Sequence, residues 1–419
     1  MGANTPSRWT FIIAGLVINL CLGTIYAWSV FRPPLHEEPY NLTVTESVIP
    51  FSIFLLAFGI SFAFSGKMIG KVGPRRPALI GAGLLGVGYL LSYSISIFPR
   101  SSLWITTIAF GLIAGTGCGY AYNPPIAVVG RWFPDRRGLS LGLTVMGFGL
   151  SALITAPAVA TMVSMLGLAN TFLILGVVFL VLLSLLGSMM KFPPPDWKTP
   201  SPQTSMTIKP WSEATNDYTT SQMTKTSTFY ITWAIFLIGA GAGLMVIGYA
   251  KLIAIDITGL TGDLEWLAIL SVSILAVLNA VGRPVFGAVC DRIGPRKTLL
   301  TMQTIQLLCL VVLFPHSKSV AVLYLAIILF ASTFGAYLAV MPALVSYFFG
   351  AKNLGPNYGM YLSAYGVGGL VCPMLMAVIV GPTPTYETYI QGFYATAGLL
   401  LIAIFLSFAM KAPKASEPA

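Results

Sequence analysis

Charged residues are scarce in this chain of 419 amino acids. Asp, Glu, Lys and Arg together make up 9% of it, against about 25% in an average soluble domain. This is too little charge to cover a water-soluble body of this size, so the composition excludes a soluble enzyme, a nucleic-acid-binding protein and a disordered scaffold. The five cysteines are scattered singly and form no C-x-x-C pair. Neither a zinc site nor a disulfide framework is therefore predicted, and we expect no cofactor.

Apolar residues are abundant instead, at 56% of the chain. A helix needs about 20 such residues to cross the hydrocarbon core of a bilayer. We predict twelve transmembrane helices, at residues 9–31, 47–66, 77–98, 102–130, 138–164, 169–190, 228–250, 264–290, 298–315, 319–349, 355–380 and 386–410. The sequence thus predicts an all-α integral membrane protein that lies in the lipid bilayer. Its helices fall into two six-helix bundles, residues 1–190 and 228–419.

Residues 191–227 separate the two groups of helices. This stretch carries FPPPDWKTPSPQ near its start and is rich in Ser and Thr further on, a composition typical of a solvated linker. Most of the 23 Lys and Arg residues lie in the linker, at the termini and in the loops on the same side. The positive-inside rule then places the linker and both termini in the cytoplasm.

Two short basic loops repeat each other. GKMIGKVGPRR at 66–76 matches GAVCDRIGPRK at 287–297, and each follows the second helix of its group. The pattern resembles the loop signature G-x-x-x-D-R-x-G-x-R/K of the major facilitator superfamily, although Gly70 stands in place of the acid in the first copy. The residues that carry the resemblance are Gly66, Gly73, Arg75, Asp291, Arg292, Gly294 and Arg296. It implies two pseudo-symmetric six-helix halves and says nothing about the substrate.

A glycine-rich run at 81–86, GAGLLG, has the spacing of a dinucleotide-binding loop. It lies inside a predicted spanning helix, with no strand before it and no acidic partner downstream. We therefore interpret these small residues as positions of close helix packing and predict no nucleotide site.

One charged side chain is predicted deep in the bilayer. Arg283 lies eight residues before Asp291, which corresponds to about 12 Å along a helix. Burying it costs about 2.5–3.5 kcal/mol even on lenient scales, so an intramembrane Arg indicates function. The alternative is a structural Arg paired with a buried acid or with carbonyls at a helix end, although no acidic residue falls in the middle of a predicted span. One planar guanidinium suits a small carboxylate monoanion, whereas a dianion calls for two cations.

Other side chains are expected to line the same cavity. Asn279 shares a helical face with Arg283, and Tyr122 lies about 13 Å along its helix from Arg131. After Tyr122 comes Asn123, and then Pro124-Pro125, which predict a break or hinge in the fourth helix. Further candidates are Phe334 and Tyr337 in the tenth span, Tyr361 and Tyr365 in the eleventh, and Asn19 and Tyr26 in the first. Interhelical packing is the alternative role for each of them.

Three further stretches narrow the resemblance. YAWSVFRPPL at 26–35 resembles the oxalate/formate antiporter branch, and RWFPDRRGLSLGLTVMGFGL at 131–150 is similar to both that branch and the monocarboxylate transporters. N-x-x-x-R-P at 279–284 resembles the D-x-x-x-R-P of animal monocarboxylate transporters. The chain thus looks like a bacterial homologue of lactate-type transporters. Such a resemblance implies a multi-pass protein of the inner (plasma) membrane and no enzymatic activity.

The implied function is proton-coupled symport of short monocarboxylates such as L-lactate by alternating access, with the anion and a proton as partners. The sequence departs from the animal transporters in having no Lys in residues 9–31 and in having Asn279 where they carry an acid. An anion exchanger of the oxalate/formate type is the alternative, although residues 355–380 lack that antiporter's second cation. A membrane receptor for organic acids is a further alternative. Such a receptor would normally bring an output domain, and the longest soluble segment predicted here is the linker at 191–227. The oligomeric state is left open.

Overall fold

The computed structural model describes residues 7–43, 46–194, 197, 217–259, 265–381, 385–411 and 413. Within this part of the chain the secondary structure is helical, with no β-strand. The long helices are α1 Trp9–His36, α2 Ile49–Val72, α3 Arg75–Ser96, α4 Pro99–Trp132, α5 Arg137–Leu166, α6 Leu168–Ser188, α7 Ser227–Thr258, α8 Glu265–Ile293, α9 Pro295–His316, α10 Val320–Phe349, α11 Leu354–Val380 and α12 Tyr386–Ala409.

These helices correspond to the twelve predicted spans. Eleven of them contain, within the described residues, a stretch that is long and apolar enough to cross a membrane. The predicted span at 355–380 corresponds to α11, which is continuously helical over 27 residues. The predicted all-α membrane fold is therefore confirmed. Large apolar side chains such as Leu185, Phe405 and Val378 are exposed on the outside of the helices, as expected for surfaces that face lipid.

The chain divides into two compact units. Unit 1 comprises residues 1–135, 143–204 and 352–363, and unit 2 comprises residues 136–142, 205–351 and 364–419. Two helices therefore contribute to both units. The first residues of α5, up to Gly142, belong to unit 2 and the remainder to unit 1, whereas α11 belongs to unit 1 up to Ser363 and then to unit 2.

The predicted break at Pro124-Pro125 is wrong, because α4 runs through both prolines as a continuous helix, whereas the hinge stays a prediction. Proline lacks an N–H, so Pro124 leaves the carbonyl of Tyr120 without its usual intrahelical donor. The hydroxyl of Ser65 in α2 donates to that carbonyl oxygen at 3.0 Å. The neighbouring helix thus supplies one of the two hydrogen bonds that the prolines remove, and such substitutes are how membrane helices tolerate internal proline.

The glycines of GAGLLG allow α3 to pack closely against its neighbours in unit 1. A methyl group at Gly81 would lie 2.7 Å from the Cβ of Ala121 in α4, and one at Gly86 would lie 2.6 Å from the Cβ of Leu180 in α6. From the other side, a methyl group at Gly117 would lie 2.8 Å from the carbonyl oxygen of Gly81. A methyl group at Gly83 would meet nothing within 4 Å. The interpretation of this motif as helix packing therefore agrees with the structure.

The described ends of the linker contact the helices. At its start, the indole Nε1 of Trp132 donates to the carbonyl oxygen of Lys191 at 2.9 Å, and the rings of Trp132 and Trp197 lie 5.1 Å apart. At its end, the backbone N–H of Tyr218 donates to the carbonyl oxygen of Phe349 at 2.9 Å, and the Tyr218 side chain is buried. Residues 198–216 of the linker lie outside the described residues.

We predict that Gly117→Ala destabilises the protein and that Gly83→Ala does not. The methyl group at 117 forces α3 and α4 apart, and overpacking of this kind costs about 1–3 kcal/mol. The methyl group at 83 enters open space and favours the helix by roughly 0.5–1 kcal/mol. The measurement is the thermal unfolding midpoint of the purified protein in detergent. Equal midpoints for the two variants would show that the α3–α4 contact is not close enough to need glycine.

Candidate functional site

The only charged side chain predicted deep in the membrane, Arg283, is completely buried in unit 2. It lies in α8, which continues without interruption through Pro284. The Nη2 of Arg283 donates a hydrogen bond to the Oδ1 of Asn279 at 3.2 Å. Residues four apart share one face of a helix, which is the placement that the sequence predicted for Asn279. The amide oxygen of Asn279 fixes one arm of the planar guanidinium fork.

The backbones of α10 and α5 pack directly against α8 near Asn279 and Arg283, at a glycine in each helix. A methyl group at Gly335 in α10 would lie 2.5 Å from the Oδ1 of Asn279 and would collide with its carbonyl oxygen. At the start of α5, a methyl group at Gly142 would lie 2.7 Å from the Cα of Pro284 and would collide with the carbonyl oxygen of Arg283. The position of the buried cation therefore depends on two residues without side chains.

An aromatic cluster in unit 2 contains three further predicted residues. Tyr365 lies 6.4 Å from Phe334 and 6.1 Å from Phe236, between ring centroids, and Phe236 lies 6.2 Å from Tyr337. The hydroxyl of Tyr337 donates to the Oε1 of Gln306 at 3.2 Å. The rings thus form one apolar wall, and a protein acceptor engages the phenol of Tyr337.

The other predicted site residues lie in unit 1 and form a second group. The ring of Tyr122 meets Phe58 and Phe148 edge to face, at 5.5 and 5.2 Å, and Tyr26 meets Phe148 at 5.1 Å. Asn123, Asn19 and Tyr361, the remaining members, are completely buried.

The two asparagines of this group are held by backbone carbonyls. The Nδ2 of Asn123 donates to the carbonyl oxygens of Phe62 and Gly355, at 3.3 and 3.1 Å. The Nδ2 of Asn19 donates to the carbonyl oxygen of Gly15 at 2.8 Å. Among the described residues, the Oδ1 atoms of both asparagines accept no hydrogen bond although they are buried. Each therefore presents an acceptor that a donor group could use.

The two signature loops share the same turn. Gly73 and Gly294 have φ of 79° and 83°, in the left-handed region that favours glycine. Asp291, next to the second turn, is buried and accepts hydrogen bonds at the start of α5, from the N–H of Gly138 at 2.8 Å and from that of Leu139 at 2.9 Å.

The arginines of these loops differ in their contacts. Arg296 donates to the carbonyl oxygens of Ser407 and Phe408 near the end of α12, at 3.3 and 2.7 Å. Cations are favoured at that end of a helix. Arg75 and Arg292 are exposed, and Gly66 is buried.

Gly142, Gly335 and Gln306 were not predicted as parts of the site. In the sequence these three residues are recognisable only as small or polar residues within apolar spans. Many spans contain such residues, so the sequence does not show which ones contact the site. Among the described residues, no group of three or more His, Cys, Asp or Glu side chains could hold a metal ion. The chemistry that the arrangement offers is anion binding by a buried guanidinium.

Comparisons with known proteins show the family to which the chain belongs. A family model described as Major Facilitator Superfamily matches residues 13–315 and 264–419. The chain is 26% identical over 413 residues to the oxalate:formate antiporter of Oxalobacter formigenes, a match that covers 96% of this chain and 90% of that protein. It is 25% identical over 361 residues to monocarboxylate transporter 13 of Rattus norvegicus, covering 84% and 77% of the two chains.

The fold is similar to that of the fucose:proton symporter of Escherichia coli. The TM-score is 0.68 at 16% sequence identity, and the match covers 96% of this chain and 98% of the symporter. At this identity the likeness shows the fold alone. Because the family model matches nearly the whole sequence, the chain belongs to the major facilitator superfamily and is a multi-pass membrane transporter rather than an enzyme.

Proposed function

We propose that this transporter carries short monocarboxylates of the lactate and pyruvate type, and that Arg283 binds the carboxylate. The observation that carries the proposal is a completely buried guanidinium whose Nη2 is oriented by Asn279. A guanidinium presents several N–H donors in one plane, a geometry that matches the two oxygens of a carboxylate. In a site away from water this pairing is stronger than on a surface.

The number of fixed cations favours a monoanion. Arg283 is a single positive charge, and the sequence of α11 contains neither Lys nor Arg. A dicarboxylate would bring a second negative charge. The sequence of α11 holds no cation for it, and the second cation in the sequence of α8, Arg292, is exposed in the last turn. The aromatic cluster of Phe236, Phe334 and Tyr365 offers an apolar wall in the same unit as Arg283, which suits the short hydrocarbon part of such acids.

The named functions of two relatives support an organic anion as substrate, since one exchanges oxalate for formate and the other is a monocarboxylate transporter. We further propose proton-coupled symport in the inner membrane, with both termini in the cytoplasm. The acids at the edges of the spans, Asp256 and Glu265, are candidates to carry the proton, and their side chains lie outside the described residues.

Exchange of organic anions of the oxalate/formate type is the second candidate function. The match to the oxalate:formate antiporter favours it, because it extends over 96% of this chain. The absence of a basic residue from the α11 sequence argues against a dianion such as oxalate.

Uptake into proteoliposomes separates the two candidates. If the symporter proposal is right, we expect purified protein to take up labelled lactate faster when an inward proton gradient is imposed. Labelled formate and oxalate are measured in parallel, with and without unlabelled anion inside. Uptake that needs internal anion and ignores the proton gradient would favour the exchanger, and uptake of none of the three would contradict both.

We predict that Arg283→Lys and Arg283→Ala both lose lactate uptake while the protein still inserts in the membrane. Lysine keeps the charge but loses the planar fork. Since a hydrogen bond to a charged group contributes about 1.5–3 kcal/mol, KM is expected to rise by roughly tenfold or more in Arg283→Lys. Arg100→Lys is the matched control, because Arg100 is exposed. Near-normal uptake by Arg283→Ala would contradict the assignment of the site.

Substitutions at Asn279 are expected to form a graded series. Asn279→Ala removes a neutral partner of Arg283, so KM for lactate rises by roughly two- to tenfold, for a hydrogen bond worth about 0.5–1.5 kcal/mol. Asn279→Asp places a carboxylate beside Arg283, which competes with the substrate anion and raises KM further. Asn170, exposed in α6 and bonded to the carbonyl of Leu166, provides the same two substitutions as controls. An Asp variant that binds lactate as well as the parent would show that Asn279 does not face the anion.

A further inference from the structure

One stretch of α10 carries two rings of the aromatic cluster and also contacts the helix of the buried cation. Gly335 packs against α8 at Asn279, the hydrogen-bond partner of Arg283. Phe334 and Tyr337 lie on either side of Gly335 in α10. The aromatic cluster and the buried cation are thus joined through a single turn of α10.

Two glycines of α7 form the surface on which these two rings lie. A methyl group at Gly243 would collide with the ring of Phe334, and one at Gly239 would collide with the hydroxyl oxygen and the Cζ of Tyr337. Gly239 and Gly243 are four residues apart, so they share one face of α7. The rings of α10 therefore pack directly against the backbone of α7.

A buried amide from a third helix meets the phenol of Tyr337 at this surface. The Oε1 of Gln306 in α9 accepts the hydrogen bond of the Tyr337 hydroxyl at 3.2 Å, and the Nε2 of Gln306 donates to the carbonyl oxygen of Gly239 at 3.4 Å. Gln306 and Tyr337 are both completely buried. One amide thus uses its acceptor on α10 and its donor on α7, which fixes the phenol relative to both helices.

A second glutamine in α9 makes the same pair of hydrogen bonds at a different place. Gln303 accepts from the hydroxyl of Ser407 at 2.9 Å and donates to the carbonyl oxygen of Ala403 at 3.4 Å, both in α12. Gln303 is completely buried as well. Both glutamines tie α9 to its neighbours, but of the two it is Gln306 that holds a ring of the aromatic cluster.

The hydroxyl of Tyr337 restricts where its ring can lie. A buried hydroxyl that loses its acceptor is destabilising, so the ring is held where Gln306 accepts its hydrogen bond. The ring in turn stacks on Phe236 at 6.2 Å, and Phe236 lies 6.1 Å from Tyr365. A displacement of the phenol is therefore passed through neighbouring rings to the apolar wall that we assign to the hydrocarbon part of the substrate.

We propose that Gln306 is a positioning residue that limits how large a hydrocarbon part the transporter accepts. Gln306 does not touch the substrate on this proposal, and it acts through the hydroxyl of Tyr337. The size limit rests on the monocarboxylate function proposed above, whereas the contact between Gln306 and Tyr337 does not.

Thermal unfolding of the purified full chain in detergent tests this contact without any substrate. Gln306→Leu removes the acceptor of the Tyr337 hydroxyl, and Tyr337→Phe removes the donor to the Oε1 of Gln306. Each variant is expected to lower the unfolding midpoint. The double variant is expected to lower it by less than the sum of the two, because both substitutions remove the same hydrogen bond. Midpoint changes that simply add in the double variant would overturn the proposal.

Inhibition of labelled lactate uptake by unlabelled 2-hydroxy acids tests the size limit. L-lactate, 2-hydroxybutyrate and 2-hydroxy-4-methylpentanoate share a carboxylate and a hydroxyl and differ in their hydrocarbon part. In Gln306→Leu, the ratio of the inhibition constant of 2-hydroxy-4-methylpentanoate to that of L-lactate is expected to fall by roughly two- to tenfold, the range that corresponds to one neutral hydrogen bond.

Tyr337→Phe keeps the ring and is expected to lower this ratio to the same degree, so the size limit is testable even where Gln306→Leu does not fold. Gln306→Leu added to Tyr337→Phe is expected to change the ratio no further, since the hydroxyl through which Gln306 acts is already absent. A second fall of similar size in the double variant would show that Gln306 acts by another route and would contradict the proposal.

Gln303→Leu is the matched control, because it removes an amide of equal burial and the same hydrogen-bond pattern from the same helix. It is expected to lower the unfolding midpoint and to leave the ratio of inhibition constants unchanged. An unchanged ratio in Gln306→Leu, or an equal fall in Gln303→Leu, would overturn the role of Gln306 in specificity.

Failure of this proposal differs from failure of the proposed function. A parent protein that transports none of these acids, but whose Gln306 and Tyr337 variants are coupled in thermal unfolding, would contradict the monocarboxylate function and support the contact that fixes Tyr337. A parent protein that transports lactate, and whose size preference does not respond to Gln306→Leu, would contradict the role of Gln306 alone.

Discussion

The guanidinium of Arg283 imposes the central constraint on unit 2, because a charged group away from water is stable only where its surroundings are fixed. The structure meets this constraint with contacts on several sides of α8. Asn279 orients the side chain within the helix, Gly335 admits α10 against Asn279, and Gly142 admits the start of α5 against the carbonyl of Arg283. The two glycine contacts leave no room for a side chain, and the Asn279 contact needs a hydrogen-bond acceptor.

Close approach of helices by glycine recurs in both units and explains much of the composition. Where Gly117 meets Gly81, and where Gly138 meets Gly287, backbones come into direct contact. In a membrane the hydrophobic effect gives little drive for one helix to join another, so such packing and a few hydrogen bonds must hold the helices together. One of these is the hydrogen bond from the Ser65 hydroxyl to the carbonyl oxygen of Tyr120, which has no helical donor because of Pro124. Many of the glycines that the structure describes thus serve as packing surfaces.

The two copies of the internal repeat share a turn conformation, but only the second copy carries the buried charged side chains. Phe62 and Gly70 in the first copy stand where Arg283 and Asp291 stand in the second, while the positive φ of Gly73 and Gly294 is nearly the same. The turn is preserved because it depends on backbone conformation alone. The charged groups differ because the backbone conformation does not require them, so the second copy can carry a buried cation and a helix cap that the first copy lacks.

The sequence by itself determined the membrane fold, since its low charge and its long apolar runs permit no other solution. It also determined that Arg283 lies deep in a span and shares a helical face with Asn279, since both follow from position along one helix. It also identified GAGLLG as a place of close helix packing.

Tertiary structure alone decided the rest. The continuity of α4 through Pro124-Pro125 depends on a hydroxyl from another helix, and the ends of the linker contact helices through Trp132 and Phe349. The contacts of Gly142, Gly335 and Gln306, and the division of the predicted site residues between two units, depend on which helices are neighbours. Spacing along one helix reports only which residues share its face, and contacts between helices are decided by the packing of the whole bundle.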